Sequence, residues 1–246
     1  METNKKIGSG AQAEVFLSEN CAVKLFKQGY DKSAVFYEAA VTALVEKTGL
    51  PIAKVQEVIQ YNDRLALKMD YVSGKSLHEN LLENETKFLY YLELMVEIQL
   101  NIFSKKLDLP FSLKERLETK ITVNSDIEES TKKALFLRLS TLPEGDQLCH
   151  GDLHGYNILI QDDKPFIIDW VDAVKGYPDG DVCRTYMLYS FHHVDFAEAY
   201  MDCYCKKAKK NKSDVMQWLP VVAAARLIDN NAHEKEKIMY WIDNML

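Results

Sequence analysis

The sequence predicts an α+β fold in which a small antiparallel sheet, about residues 1–70, precedes a larger, mainly helical lobe, about residues 71–246. Three observations predict it. Up to Met69, β-branched and apolar residues alternate in short runs broken by a single helical stretch. From Ser76 onward the apolar residues recur mostly at helical spacing. Within that helical region, Ile158 to Ile160 and Phe166 to Ile168 form two short β-branched runs with polar Gln161 to Lys164 between them, the pattern of a hairpin.

Composition bounds what the chain can be. Its 246 residues are 47% hydrophobic, enough to build a sizeable core. A formal net charge of -7 argues against a general affinity for nucleic acid or an anionic membrane. No apolar run is long enough to span a bilayer, and the leading METNKKIGSG lacks the apolar centre of a signal peptide. The expected location is the cytoplasm, with neither nucleic acid nor membrane as partner. The odd set Cys21, Cys149, Cys183, Cys203 and Cys205 contains no C-x-x-C pair, which points to reduced thiols. Cys203 and Cys205 read as ordinary helix residues, because no second pair stands at metal-ligand spacing.

Lys6 to Lys27 reads as three strands with a tight turn at Gly8-Ser9-Gly10. Glycines there let the backbone approach a phosphate and point N–H groups at it. Alternation in Ala22-Val23-Lys24-Leu25-Phe26 sets Lys24 on a strand. Tyr30 to Lys47 reads as a helix capped by Asp31 or Ser33 and stopped by Gly49-Leu50-Pro51. Glu38 lies within it among small and apolar residues, and Glu46 is the fallback if the register differs. Val55 to Tyr61 and Leu65 to Met69 read as an antiparallel pair turning at Asn62-Asp63-Arg64. Asp70 to Gly74 breaks the pattern and reads as a hinge.

Beyond the hinge, helices are expected over Ser76 to Leu82, Glu85 to Lys105, Ser112 to Ile121 and Asp126 to Leu139. The second carries an apolar stripe through Leu89, Leu92, Met95, Val96, Gln99 and Leu100. Lys105-Lys106 and Lys132-Lys133 read as solvated faces, and Lys206 to Lys212 as a solvated basic helix end and loop. Trp218 to Leu246 reads as two closing helices with Asn230-Asn231 between them.

The chemistry concentrates in Leu148 to Asp169, LCHGDLHGYNILIQDDKPFIID. Asp152 and Asn157 sit in a loop entering the hairpin and Asp169 sits where the hairpin ends, so the hairpin is expected to gather all three. Oxygen-bearing side chains converging on one point suit Mg²⁺, which is usually held by one or two carboxylates together with substrate phosphates. The order also matches the kinase pattern: an Asp for the acceptor hydroxyl, an Asn five residues on, and a later metal-binding Asp. After Asp169, however, no long activation segment follows. Gly176-Tyr-Pro178 leads almost directly into Asp181 and a new helix.

HGDLHGYNIL (150–159), IIDW (167–170) and the run G-Y-P-D-G-D (176–181) resemble the aminoglycoside phosphotransferase and choline kinase family, whose members share the protein-kinase-like fold but phosphorylate small molecules. The glycine turn, Lys24 and Glu38 extend the resemblance over most of residues 6–190. Ala13 departs from it, standing where a third glycine is usual. The resemblance implies a two-lobed enzyme that uses ATP, with GTP as an alternative, and Mg²⁺. It implies that Asp152 is the catalytic base or the group that orients the acceptor hydroxyl, and that Asn157 and Asp169 bind the metal. Lys24, oriented by Glu38, would hold the phosphates under the Gly8-Ser9-Gly10 turn, and backbone groups near Asp70 and Val72 would meet the base. His150 and Asp181 would be internal struts, and His154 would face substrate or simply pack.

The expected acceptor is a small-molecule hydroxyl, most simply an aminoglycoside. Its contacts are sought among Tyr186, Tyr189, His192, His193, Asp195, Glu198 and Asp202. A cationic aminoglycoside would use the carboxylates. A choline-like head group would use aromatic faces from Tyr186, Tyr189, Phe191, Tyr200 and Tyr204. A protein kinase and a nucleotide-binding regulator without turnover are the competing readings.

Overall fold

A computed structural model describes residues 5–229 and 231–246; Asn230, expected between the last two helices, lies outside the described residues. In chain order the elements begin with β1 (Lys5–Ser9), β2 (Ala13–Ser18), β3 (Cys21–Phe26), α1 (Lys32–Glu46), β4 (Val55–Tyr61), β5 (Arg64–Asp70), β6 (Lys75–Ser76) and α2 (Leu77–Glu83). Next come α3 (Phe88–Phe103), α4 (Leu113–Val123), α5 (Glu129–Thr141), β7 (Gln147–Cys149), β8 (Ile158–Gln161), β9 (Lys164–Ile167) and β10 (Val174–Gly176). The chain continues through α6 (Pro178–Ser190), α7 (Val194–Ala208), α8 (Lys212–Met216), α9 (Leu219–Arg226) and α10 (Ala232–Met245). The fold is therefore α+β, as the sequence predicts.

Two compact units divide these elements. One runs to Glu83 and takes back Gly155–Asp172; the other comprises Asn84–His154 and Ala173–Leu246.

The first unit is built on a five-stranded antiparallel sheet of order β1-β2-β3-β5-β4. Two of its features come from local backbone chemistry. Asn62 and Asp63 both adopt positive φ, the requirement of a two-residue hairpin turn whose twist matches the strands. Asp31 caps α1 by accepting the Ser33 N–H at 2.9 Å. The period-2 alternation of β3 splits its side chains between two clusters. Phe26 packs with Ala13, Val35 and Leu67 on the α1 side, whereas Val23 and Leu25 pack with Ala66 on the other. Ala13 is thus a core residue, which accounts for a methyl group where the related pattern has glycine. The β8–β9 hairpin joins this unit through β6. Its turn is Asp162-Asp163, again at positive φ, so the polar link is two residues long instead of four.

The second unit is mainly helical, with one small antiparallel pair, β7 with β10, which the sequence pattern does not reveal. Ser112 and Glu115 form a reciprocal capping box at the start of α4. α3 begins at Phe88, after a 3-10 turn over Glu85–Lys87. Leu92, Met95, Val96 and Gln99 face inward as expected, but Leu89 does not and is 68% exposed. Phe88 takes the inward position instead and meets Phe196 edge-on at 5.6 Å. Lys132 also departs from expectation. It is buried rather than solvated, with its Nζ donating to the Thr122 carbonyl at 3.1 Å and paired with Glu129 at 3.0 Å. Gly180 permits a close approach: a Cβ there would stand 2.5 Å from Leu113 Cδ2 and 2.8 Å from Trp218 Cε3.

Candidate active site

In the first unit, Lys24 shares the α1-facing side of β3 with Phe26, two residues on. On α1, the residues Val35, Glu38, Thr42 and Val45 are all buried, at steps of three and four that define one stripe. Glu38 therefore occupies a core position, where a carboxylate needs a partner. Lys24 Nζ lies 2.7 Å from Glu38 Oε1 and 3.1 Å from Asp169 Oδ1, a residue 145 positions further along the chain. Glu46, the alternative partner, instead accepts the Val55 N–H at 2.8 Å.

The electrostatics follow from one ammonium serving two carboxylates. Burial pushes the Lys24 pKa down, but the Asp169 and Glu38 charges outweigh burial and raise it. Burial pushes Glu38 up, and the Asp169 charge adds to that beyond what Lys24 takes back. Tyr30, which the sequence reading did not single out, stacks on Phe26 at 5.0 Å, and its phenol is raised first by burial and then by Glu38.

Gly8 and Ser9 end β1, and the Gly10 N–H closes a tight turn onto the Ala13 carbonyl at 2.9 Å. Neither glycine is demanded by the fold. A Cβ at Gly8 would meet only Val15, at 3.5 Å, and one at Gly10 only the Ala13 carbonyl oxygen, at 3.9 Å. Asp70 is the last residue of β5; its N–H donates to the Lys54 carbonyl at 2.9 Å and its Oδ1 accepts from Gln56 Nε2 at 2.9 Å. Val72 is buried, two residues on.

Asn157 and Asp169 both belong to this first unit. The Ile168 N–H donates to the Asn157 carbonyl at 3.0 Å, which ties the start of the hairpin to its end. Asn157 is 7% exposed, whereas the Asp169 side chain is 41% exposed and its backbone φ of 63° is one that few residues other than Gly, Asn and Asp adopt. Among the described residues no group of three His, Cys, Asp or Glu could hold a metal by itself. An amide oxygen and one carboxylate are nevertheless a fitting donor set for Mg²⁺ that arrives with phosphates, since that ion completes its octahedron with phosphate and water oxygens.

Asp152 belongs to the second unit, and there the surrounding loop is held by a buried polar network. Asp181, on the first turn of α6, accepts the Gly151 N–H at 2.7 Å and the His150 N–H at 3.4 Å. Gln99 Nε2 donates to Asp181 Oδ2 at 3.1 Å, and the Tyr200 hydroxyl donates to Gln99 Oε1. Thr185, one turn on, donates to the Leu153 carbonyl at 2.8 Å. Gly151 has a φ of 82°, which makes glycine the natural residue there. His150 is fully buried and accepts the Asp152 N–H on Nδ1 at 3.2 Å.

The Asp152 carboxylate itself meets a residue that the sequence reading passed over. Arg184 Nη2 donates to Asp152 Oδ1 at 2.8 Å, and His154 Nε2 lies 3.6 Å from Oδ2. Burial alone would raise the Asp152 pKa; the Arg184 guanidinium, with His154 and His150, outweighs it and holds the carboxyl far below the usual range. The signal for Arg184 was its spacing, three residues after Asp181 on the same helix.

The residues considered for an acceptor divide by burial. Tyr200 and Tyr204 are buried, with hydroxyls on Gln99 and Asp179, and have no open face for a cation. Tyr186 and Tyr189 are also buried. Glu198 is engaged by the Tyr186 hydroxyl and by Lys212. His192, His193, Asp195 and Asp202 are exposed. Nor is the basic run simply solvated. Lys207 pairs with Glu97 at 2.8 Å, Lys210 with Asp179 at 3.0 Å, and Lys212 with Glu198. All five cysteines are free thiols.

Comparison with known proteins places this geometry in context. A family pattern described as APH, phosphotransferase enzyme family, matches residues 3–219. No curated protein matches the chain in sequence. A thermostable mutant of the aminoglycoside phosphotransferase APH(4)-Ia, in its apo form, superposes with a TM-score of 0.70 at 14% identity, over 98% of this chain and 91% of that one. The amicoumacin kinase hAmiN, in complex with AMP-PNP, Ca²⁺ and Ami, superposes with a TM-score of 0.63 at 14% identity, over 99% and 88%. The choline kinase LicA from Streptococcus pneumoniae gives 0.62 at 17% identity, over 95% and 86%. At such identities the likeness is one of fold, here the two-lobed protein-kinase-like fold. The family pattern goes further, because it runs unbroken from the glycine turn past the Asp152 loop and the hairpin into α9: the chain belongs to the phosphotransferase enzyme family.

Proposed function

We propose that the chain is a Mg²⁺-dependent small-molecule kinase that moves the γ-phosphate of ATP, or of GTP, to a hydroxyl of an aminoglycoside-type acceptor. The observation that carries this reading is the Lys24 ammonium held by Glu38 at 2.7 Å and Asp169 at 3.1 Å. A lysine so fixed, beside a carboxylate that is 41% exposed, is an arrangement suited to a nucleotide's phosphates and their metal. Two relatives by fold are consistent with it: a ternary complex of APH(4)-Ia contains ADP and hygromycin B, and a complex of hAmiN contains AMP-PNP and Ca²⁺.

In this reading each residue has one task. The backbone of Gly8, Ser9 and Gly10 lies along the phosphates, and Lys24, oriented by Glu38, binds them. Backbone groups near Asp70 and Val72 meet the base. The Asn157 amide oxygen and the Asp169 carboxylate would hold Mg²⁺. What the ion supplies when bound with the nucleotide is neutralisation of the charge on the phosphate oxygens. Asp152 accepts the hydrogen bond of the acceptor hydroxyl and aims its oxygen. Against burial, which would raise it, Arg184 holds the Asp152 carboxyl low, so Asp152 acts mainly by orienting the hydroxyl and receives its proton only as the transfer proceeds. Phosphoryl transfer tolerates this, because its transition state asks mainly for alignment and charge stabilisation.

For the acceptor, the exposed carboxylates Asp195 and Asp202 favour a polyamine sugar. The choline alternative loses most of its aromatic faces to the core, as Tyr186, Tyr189, Tyr200 and Tyr204 are all buried. The test is to incubate the protein with Mg²⁺ and ATP or GTP against aminoglycosides, choline-like amines, sugars and amino-acid alcohols, and to follow phosphorylation of the acceptor by mass spectrometry. Phosphorylation of an aminoglycoside supports the whole reading. Phosphorylation confined to another class overturns the acceptor assignment, and transfer to none overturns the enzymatic one.

A further inference from the structure

The Asp152 loop carries an ion pair that the proposed reaction does not by itself require. Arg184 reaches it from the second turn of α6, with its side chain 14% exposed and that of Asp152 28% exposed. The same helix fixes the loop backbone twice more, through Asp181 to the Gly151 N–H at 2.7 Å and through Thr185 to the Leu153 carbonyl at 2.8 Å. Asp181, Arg184 and Thr185 thus share one face of α6, and that face sets both the course of the loop and the attitude of its carboxylate.

We propose that Arg184 is a positioning residue for phosphoryl transfer: its guanidinium anchors the Asp152 carboxylate at Oδ1 and sets the direction from which that carboxylate meets the acceptor hydroxyl. This rests on the reading of Asp152 as the hydroxyl-facing group. In the transfer, the acceptor oxygen bonds to the γ-phosphorus as the bond from that phosphorus to the β,γ-bridging oxygen breaks. The hydroxyl proton leaves along its hydrogen bond to Asp152 and passes on to solvent. A carboxylate free to rotate would satisfy the charge requirement without satisfying the alignment, and a misplacement of about 1 Å can cost on the order of 10²-fold in rate.

Other charged groups near Asp152 are placed differently. His150 and His154 lie on its own loop, with His154 Nε2 at 3.6 Å from Oδ2. Arg226, at the end of α9, feels the Asp152 charge, but its guanidinium is already engaged by Glu234 at 2.7 and 2.9 Å and by Asp229 at 2.7 Å. Asp181 is turned to the loop N–H groups and to Gln99. Arg184 donates to Asp152 Oδ1 at 2.8 Å, and its removal leaves a half-buried carboxylate more exposed to the cost of its desolvation.

The test uses the full chain with ¹³C-labelled aspartate, the Asp152 resonance being assigned by its loss in Asp152→Asn. In the wild type that resonance is expected to stay ionised to the lowest pH at which the protein remains folded. In Arg184→Gln a midpoint is expected to come up into the pH range over which the protein stays folded. An acid limb of the turnover profile should appear at that midpoint, and turnover on the alkaline side should fall on the order of 10²-fold with nucleotide affinity unchanged. Added guanidinium should restore part of that turnover. Arg184→Lys keeps the charge but loses the planar fork, so it should keep the resonance ionised over the same range as the wild type while still losing turnover, and it serves if the glutamine variant does not fold. An Asp152 resonance in Arg184→Gln that stays ionised over the same range as in the wild type, or full turnover in Arg184→Lys, overturns the proposal. A moved midpoint in a protein that phosphorylates no acceptor overturns the phosphotransfer reading, and the positioning role with it, while leaving the ion pair measured.

Discussion

Glu38 sits on the buried stripe of α1 and reaches Lys24 of β3 at 2.7 Å, so a core position of the helix is given to a charge. An apolar residue there would pack as well. The carboxylate is tolerated because the strand alternation turns Lys24 to the same face, and the same ammonium also holds Asp169, at 3.1 Å. Removing the ammonium therefore strands two carboxylates. Lys24→Ala is expected to cost about 3 kcal/mol of stability, the scale for breaking a buried pair from one side, and urea denaturation measures it. Lys24→Arg should keep most of that stability and still weaken nucleotide binding, because the fork does not reproduce a point charge.

Asp152 links the site to acid stability. Its pKa is lowered in the folded protein, chiefly because Arg184 outweighs the burial that would raise it. The unfolded chain therefore takes up that proton first as pH falls. The contribution is fully present above the ordinary carboxyl value of 3.8 and is lost as pH falls below it. Asp152→Asn should flatten the dependence of stability on pH between about 5 and 3, read from denaturant midpoints across that window. An unchanged slope would mean that the ion pair does not persist in solution.

The glycine turn separates fold from function. Because a Cβ at Gly10 meets only a carbonyl oxygen at 3.9 Å, Gly10→Ala should leave stability within about 0.5 kcal/mol of the wild type. If the turn lies along phosphates, the same substitution should raise the nucleotide dissociation constant several-fold. Calorimetric titration with ATP and with GTP reads both affinities.

Gly180 makes the opposite case. A methyl group there would enter the space of Leu113 and Trp218, at 2.5 and 2.8 Å. Gly180→Ala should destabilise by about 1–3 kcal/mol through overpacking, even though alanine is the better helix former. A thermal midpoint at or above that of the wild type would contradict this packing.

Much of this was legible in the sequence, for physical reasons that differ by position. The Lys24 strand, the Glu38 helix and the β8–β9 hairpin are each set by local periodicity and turn chemistry, so they could be read without a structure. The His150 to Leu159 string carried the family resemblance because it orders several functional residue types at fixed spacing. What failed to show depends on tertiary placement. β7 and β10 are three residues each and pair across a gap of more than twenty residues, too short to have a period. Lys132 looks like any surface lysine until its Nζ is seen on the Thr122 carbonyl. Tyr200 and Tyr204 offer aromatic faces on paper and lose them to the core. Arg184 is distinguished from other helical arginines only by facing the Asp152 loop.

The division of labour between Asp152 and the Lys24 cluster is the central claim, and one paired measurement tests it. Nucleotide affinity and single-turnover transfer are measured on the wild type and on Asp152→Asn, with Mg²⁺ and the acceptor identified in the panel. The account predicts an unchanged nucleotide dissociation constant and a loss of transfer on the order of 10²–10⁴-fold. Asp169→Ala, run alongside, should lose the Mg²⁺-dependent part of nucleotide affinity as well. Transfer by Asp152→Asn within a few-fold of the wild type would contradict the account.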